Sequence, residues 1–138
     1  MMPNSIEPKA IEPKALDQQF VVLDRQQRAT FEPVDAQLYQ RLAENYDDFQ
    51  GHMLVSSYQF HQDWTQWEIH PAGDEVVILL SGEATILLEH ANGVSHITLR
   101  HANDTCIVPC NTWHTAQIAK DATLLFVTPG AGTRHRAL

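Results

Sequence analysis

Short apolar stretches separated by turn residues characterise the chain from Met53 onward. Stretches of this kind, rich in β-branched and aromatic residues and bounded by Gly, Pro, Asn or Asp, are typical of β-strands. An Asn-Gly pair at 92–93 is a strong hairpin signal. Closely spaced strands with no helical pattern between them predict an antiparallel barrel or jelly roll. The pattern predicts eight strands: Met53–Phe60, Trp67–His70, Glu75–Leu80, Ala84–His90, Val94–Arg100, Thr105–Val108, Trp113–Ala119 and Thr123–Thr128.

The N-terminal part of the chain has a different pattern. Phe20–Leu23 predicts one further short strand. After Pro33, apolar residues recur at every fourth position, which places them on one face of a helix. We therefore expect one helix over Val34–Asp48, ended by Gly51 and packed on the outside of the barrel.

The first residues contain a short repeat, because Ile6–Ala10 recurs as Ile11–Ala15. Each copy holds a proline, and prolines five residues apart are incompatible with a helix or a central strand. We expect a flexible leader over Met1–Asp17. The predicted division of the chain is this leader, a strand and helix over 18–52, and a barrel over 53–138.

Composition narrows the classes of partner. The 138 residues are 43% hydrophobic and carry 9 basic against 17 acidic side chains, a formal net charge of −8. An acidic chain without a basic run is poorly suited to nucleic acid or to an anionic membrane surface. The N-terminus has no apolar signal region, and no stretch approaches the ~20 apolar residues that cross a bilayer. We expect a cytoplasmic protein in which Cys106 and Cys110 are reduced thiols.

Candidate metal ligands lie at two turns of the predicted barrel. Glu68 and His70 are two residues apart, so their side chains face the same side of an extended strand. A Pro-Ala-Gly-Asp turn follows, and Glu75 opens the next strand. His114 likewise opens a strand after a turn that contains Pro109. Two imidazoles and one carboxylate suit non-haem Fe(II), and a second carboxylate shifts the preference towards Mn²⁺, Fe²⁺ or Zn²⁺.

These residues resemble the two sequence motifs of the cupin superfamily. The first motif, His-x-His, a short spacer, Glu, six residues and Gly, is similar to Glu68-x-His70-x₄-Glu75-x₆-Gly82. The second, Gly-x₅-Pro-x-Gly-x₂-His, is similar to the segment from Asn103 to His114. In this segment Asn103 and Asn111 replace the glycines, and asparagine readily takes the positive φ that glycine tolerates.

The resemblance implies a cupin double-stranded β-helix with a divalent metal at one end of the barrel. By the family pattern, the ligands would be His70, Glu75 and His114, with Glu68 where most members have a histidine. Glu68 is then either the fourth ligand or an acid–base group beside the metal. By strand parity, Val77, Leu79, Ala116 and Ile118 are expected to line the pocket wall.

Simpler interpretations exist for each residue. His70 before Pro71 is compatible with a turn histidine, and His114 with a hydrogen-bonded core histidine. Cys106, Cys110 and His114 would cluster on a helix as a zinc site, but Pro109 interrupts any helix there. Six further histidines lie outside both motifs. The indoles at 64 and 67 are expected to serve packing, and Thr133–Leu138 reads as a solvated basic tail.

Three functions therefore remain open. The first is a metal-dependent enzyme with a Lewis-acidic or O₂-binding Fe, Mn or Zn centre, expected to be a homodimer as small cupins often are. Such a dioxygenase, isomerase or lyase would act on a small organic acid or carbonyl compound. The second is a non-catalytic metal or small-ligand sensor. The third is a metal-free cupin with a structural or sugar-binding role, since fold does not fix function.

Overall fold

Nine β-strands and one short α-helix make up the part of the chain that the computed structural model describes, residues 12–138. Most of the predicted leader, residues 1–11, lies outside this range. The strands are β1 Gln19–Leu23, β2 Ala29–Pro33, β3 Met53–Phe60, β4 Gln66–Ile69, β5 Glu75–His90, β6 Gly93–Leu99, β7 Thr105–Val108, β8 His114–Thr128 and β9 Arg134–Ala137; α1 is Leu38–Asn45.

All strand pairs are antiparallel, and two long strands organise them. β5 pairs with β6, β7 and β8, and β8 pairs with β3, β4 and β5. Burial alternates along both strands, so one face of each contributes to a common core. The predicted all-β, jelly-roll barrel with one helix is therefore confirmed. No helix in residues 12–138 has the length and apolar character needed to cross a membrane.

The prediction of eight separate barrel strands was wrong at two places. The segments 75–80 and 84–90 are one strand, β5, whose register with β8 shifts between Leu79 and Ala84. The segments 113–119 and 123–128 are likewise one strand, β8. Gly82 bends β5 without ending it: its φ is +85°, and a Cβ there would overlap the backbone carbonyl oxygen of Asp121. The turn signals in the sequence thus mark bends within continuous strands.

The N-terminal segment is joined to the barrel by sheet pairing. β1 forms a hairpin with β2, a strand that was not predicted, and also pairs with β3. The predicted helix is shorter than expected: Asp35 forms a turn before α1 through a hydrogen bond from the backbone N–H of Gln37, and positive φ at Asp47 and Asp48 prevents α-helix beyond Tyr46. The helix packs outside the barrel over a second apolar cluster, formed by Phe20, Val22, Leu38, Leu42, Phe49 and Leu54.

The expected solvated tail is instead a strand. β9 pairs with β4 over Gln66–Ile69, with His135 opposite Glu68. Arg136 fixes β9 on its outer face, because its guanidinium lies 4.7 Å from the ring centre of Trp113 and binds Glu89 at 2.7 Å. The few basic and polar residues at this end show no recognisable strand pattern in the sequence. The strand conformation of Arg134–Ala137 follows from its pairing with β4.

Candidate metal centre

Four side chains from the two motifs converge at one end of the barrel. Glu68 lies on β4, His70 follows that strand, Glu75 begins β5 and His114 begins β8. One potential ligand atom from each lies within 4.8 Å of all the others. The imidazole centres of His70 and His114 are 5.2 Å apart. The residues that the sequence singled out for a metal therefore meet at one point.

The two motif turns hold each other in place. The backbone N–H of Asn111 donates to the carbonyl oxygen of His70 at 3.0 Å. Cys110 donates its backbone N–H to Asp74 at 2.7 Å and its thiol to the carbonyl oxygen of Pro71 at 3.2 Å. Both asparagines at glycine positions of the motif have positive φ, as predicted; Asn111 has φ +61°. These bonds fix the distance between the strands that carry the ligands.

Hydrogen bonds set both imidazoles in the same tautomer. The Thr133 hydroxyl donates to the carbonyl oxygen of Gly130, so its oxygen accepts from Nδ1–H of His70 at 2.8 Å. Nδ1–H of His114 donates to the carbonyl oxygen of Thr112 at 3.1 Å. In each neutral ring, Nε2 then carries the lone pair and faces the centre of the cluster. This is the arrangement that metal-binding histidines use.

The carboxylates are also held from outside. The Thr128 hydroxyl donates to Oε2 of Glu75 at 2.6 Å, while Oε1 of Glu75 lies 3.2 Å from Nε2 of His114. Oε2 of Glu68 lies 2.8 Å from Nε2 of His135, and its Oε1 lies 3.0 Å from Nε2 of His70. Each carboxylate thus has one oxygen held by a side chain outside the cluster. In Glu75 that oxygen, Oε2, also lies 3.3 Å from Nε2 of His70.

The inner atoms lack hydrogen-bond partners within the described chain. Nε2 of His70, Oε1 of Glu75 and Nε2 of His114 are buried. Their contacts across the cluster, at 3.0–3.3 Å, are ion-pair contacts that lack the geometry of a hydrogen bond. Buried polar atoms without partners are rare and costly in folded proteins. A divalent cation at their centre would satisfy all of them at once, so the donor set fits a metal ion.

In the metal-free cluster, two carboxylates and two imidazoles shift one another's pKa values. Burial lowers the pKa of both imidazoles, but the Glu68 and Glu75 carboxylates outweigh burial and raise the pKa of His70 and His114 to about 9. Burial raises the pKa of both carboxyls, and the imidazoles outweigh it and hold each pKa below its usual range. At neutral pH each imidazole of the metal-free cluster therefore carries an additional proton, and a metal ion would have to displace both protons in order to bind.

A cavity of about 950 Å³ lies beside the cluster, between α1, the barrel and β9. The prediction of its wall was wrong. Val77, Leu79 and Ala116 are buried in the barrel core, where Ile118 packs against them, and none of the four lines the cavity. Strand parity placed Val77 and Leu79 on the same face as Glu75, but those positions lie deeper along the strand, where core side chains cover them.

Three contacts that hold the cluster were not predicted from the sequence. Thr128, Thr133 and His135 each hold one member of the cluster, yet they lie outside both motifs. The alternation of Thr133 and His135 was an available signal, because residues two apart share a face once the segment is extended. The structure shows that this segment is extended, because it pairs with β4 as strand β9.

The remaining candidates are placed as follows. Cys106 is buried in the barrel core, as predicted, and Cys110 is exposed. The described residues contain one cluster with metal-ligand geometry, and neither cysteine belongs to it, which removes the alternative zinc site. Trp64 packs against the core, and its ring lies 6.1 Å from that of His114. His90, His96 and His101 are exposed, as expected.

Comparison with known proteins gives a likeness at the level of fold. No protein-family model matches the chain, and no curated protein matches it. An oxalate oxidase structure is 18% identical, with a TM-score of 0.51 over 59% of this chain and 44% of that chain. A variant of Bacillus subtilis oxalate decarboxylase is 14% identical, with a TM-score of 0.51 over 62% of this chain and 24% of that chain.

A third neighbour shows how varied proteins of this fold are. Peruvianin-I, described as a cysteine peptidase from Thevetia peruviana latex, is 17% identical, with a TM-score of 0.53 over 62% of this chain and 56% of that chain. The matched regions span less than two thirds of each neighbour, and such identities carry no activity from one protein to another. With its jelly-roll barrel, its two motifs and these neighbours, the chain has the fold of the cupin superfamily.

Proposed function

We propose that the cluster binds one divalent metal ion through His70, Glu75, His114 and Glu68, and that the protein is a metal-dependent enzyme acting on a small organic molecule. The observation that carries the proposal is the set of inward-facing, buried atoms without hydrogen-bond partners, each on a side chain held from behind. Such outer partners orient metal ligands and tune their basicity.

The ligand set favours a hard to borderline metal. Two imidazole nitrogens and two carboxylate oxygens suit Fe²⁺, Mn²⁺ or Zn²⁺, whereas soft Cu(I) prefers sulfur ligands. Among the described residues, no sulfur lies in the cluster. With neutral imidazoles, the two carboxylates balance the double positive charge of the ion, which lowers the cost of burying it.

When bound, a divalent ion would act as a Lewis acid towards an oxygen atom of the substrate. The residues of the chain supply orientation and proton handling. Glu75 is almost fully buried and serves as a fixed ligand, whereas the Glu68 side chain is 24% exposed and borders the cavity. His135, 49% exposed, binds the outer oxygen of Glu68. His135 therefore connects the ligand Glu68 with solvent and is our candidate acid–base group; Glu68 takes that role only if it is not a metal ligand.

Metal analysis tests the first part of the proposal. Protein purified without chelator should contain close to one equivalent of Fe, Mn or Zn by elemental analysis. His114→Ala removes one ligand of the buried set and should lose nearly all of the metal. The matched control is His96→Ala, an exposed histidine on β6, which should keep the wild-type content.

Two results would contradict metal binding at this site: wild-type protein without metal after reconstitution, or His114→Ala with unchanged content and a folded barrel by circular dichroism. Catalysis is tested separately by screening the metal-loaded protein for turnover of small oxygen-containing compounds, including oxygen uptake with Fe(II). Stoichiometric metal without any turnover would favour the sensor function over the enzyme.

A further inference from the structure

The cavity beside the cluster has an aromatic wall. Tyr58, Phe60, Trp64 and Phe126 contact one another with ring centres 5.5–6.2 Å apart, in tilted or edge-to-face arrangements. All four line the cavity. Aromatic rings in such arrangements offer apolar area and edge contacts to another ring. A volume of about 950 Å³ is far more than a two-carbon acid requires.

The charges around the cavity disfavour an anion. Among the described residues that line it, none is lysine or arginine, whereas Asp48 and Asp63 line it in addition to Glu68 and Glu75. Three arginines on neighbouring elements are paired with carboxylates, namely Arg25 with Asp47, Arg41 with Asp35 and Arg136 with Glu89. Arg134 on β9 lies against the ring of Trp113 and outside the cavity lining. Proteins bind substrate carboxylates through such cations, usually bidentate arginine.

The metal itself would not compensate for the absence of lysine and arginine from the described lining of the cavity. A divalent ion bound by two carboxylates and two neutral imidazoles has no net charge, so the acidic residues of the wall remain the dominant field. Four protein ligands would leave two positions on a six-coordinate ion such as Mn²⁺, and these would suit two neighbouring oxygen atoms of one ligand.

The cavity also has an uncharged polar region. The hydroxyl groups of Tyr39 on α1 and Tyr58 on β3 are in direct hydrogen-bond contact. Burial raises the pKa of Tyr58, so its phenol stays neutral and able to donate. The ring of Tyr58 thereby combines an apolar face with a polar end, a combination that suits an aromatic ligand carrying hydroxyl groups.

We propose that the cavity binds an uncharged aromatic compound with two neighbouring oxygen atoms, its ring against Tyr58, Phe60 and Trp64 and its oxygen atoms towards the four-residue cluster. This inference rests on the proposed metal function and narrows its substrate class. It separates this protein from its oxalate-handling structural neighbours, since the dianion of oxalate would meet an acidic cavity whose described lining contains no lysine or arginine.

The test uses full-length protein loaded with Mn²⁺ under argon, because Mn²⁺ accepts six ligands and argon excludes the oxygen that would oxidise the probe. Manganese stoichiometry is measured first. Calorimetry then compares catechol, protocatechuate, which is catechol with an added carboxylate, and oxalate. We expect catechol to bind at least about tenfold more tightly than protocatechuate or oxalate, because each carboxylate is desolvated without a cationic partner.

Two pairs of variants locate the site. Phe60→Leu removes an aromatic wall and should weaken catechol binding roughly threefold to tenfold, whereas Phe31→Leu, on β2 outside the cavity lining, should leave it unchanged. Gln62→Lys places a cation in the lining and should strengthen protocatechuate binding about twofold to fivefold. Gln117→Lys, exposed on β8 outside the lining, is its control.

The outcomes separate the two proposals. Wild-type protein that binds none of Mn, Fe and Zn would overturn the proposed function and this inference with it. Protein that accepts zinc alone, or manganese-loaded protein that binds oxalate or protocatechuate as tightly as catechol, would overturn the inference alone. Equal effects of Phe60→Leu and Phe31→Leu would also overturn it, because binding would then lie outside this cavity.

Discussion

At the scale of single residues, the cluster depends on side chains far away in sequence. His70 is held by Thr133, Glu75 by Thr128 and Glu68 by His135, partners 53 to 67 positions further along the chain. Each partner leaves the inward-facing atom free for a metal. The geometry of the site is therefore a property of both motifs and of the segment that follows β8.

His135 offers the sharpest test of this arrangement. Replacing it with alanine removes the partner of Oε2 of Glu68, so that Glu68 gains rotamer freedom and a less fixed position. We expect His135→Ala to weaken metal affinity about tenfold, at the low end for loss of an outer partner. Competition with a chromogenic chelator measures the affinity.

The matched control for that change is His101→Ala, an exposed histidine far from the cluster, which should have wild-type affinity. Since His135 is itself half exposed, the folded barrel should tolerate its loss with little change in melting temperature. An affinity equal to that of wild type would show that Glu68 needs no support from β9.

At the scale of elements, the bend in β5 lies between the part of the strand that pairs with β7, residues 75–78, and the part that pairs with β6, residues 84–90. Gly82 has a positive φ and lies against the backbone of β8, where a side chain has no space. The motif glycine is thus required by packing between two strands and not by a separate turn. The register of β5 with β8 shifts around this glycine, so that one continuous strand pairs with β8 on both sides of the bend.

Gly82→Ala should therefore destabilise the fold. The added Cβ meets backbone atoms of Asp121 and Ala122, which cannot move without distorting β8, and positive φ adds strain. We expect a loss of about 2–4 kcal/mol in the free energy of unfolding, measured by urea denaturation. Gly93→Ala is the control: its Cβ meets no atom within 4 Å, so only backbone strain remains and the loss should be clearly smaller. Equal losses would show that the close packing at Gly82 is unimportant.

At the scale of the whole molecule, the proposed metal would make the free energy of unfolding depend on the metal content of the solution. A ligand that binds the native state at one hundred times its dissociation constant adds about 2.7 kcal/mol to the free energy of unfolding. Removing the metal with a chelator should lower the melting temperature of the wild-type protein by about 10 °C. His114→Ala, which lacks a ligand, should show no response; an equal response would place the stabilising metal elsewhere.

The pH dependence of metal binding follows from the raised imidazole pKa values. In the metal-free protein His70 and His114 have pKa values of about 9, so both carry an extra proton at pH 7 and lose it only as the pH rises through 9. Metal binding at pH 7 should release up to about two protons, and affinity should increase from pH 6.5 to 9. Calorimetry in buffers of different ionisation enthalpy measures the release; binding without proton release would contradict it.

Two expectations about the whole protein stay predictions. The homodimer and the cytoplasmic location were inferred from resemblance and composition, and the single chain tests neither. Light scattering coupled to size-exclusion chromatography gives the oligomeric state directly. The division of the chain into leader, 18–52 and 53–138 also stays a prediction, although β1 pairs with β3 and so joins the second segment to the barrel.

The sequence by itself predicted the strand-rich barrel, because the alternation of apolar residues is a local feature. The meeting of Glu68, His70, Glu75 and His114 was implied by the resemblance of their spacing to the cupin motifs, and the structure brings the four side chains together. Even the positive φ at Asn103 and Asn111 could be predicted from residue type. Tertiary structure alone decided that β5 and β8 are continuous, that the cavity has an aromatic wall and that β9 brings His135 to Glu68. These features arise from pairing between distant segments, and a local pattern carries no information about which strand will become the neighbour.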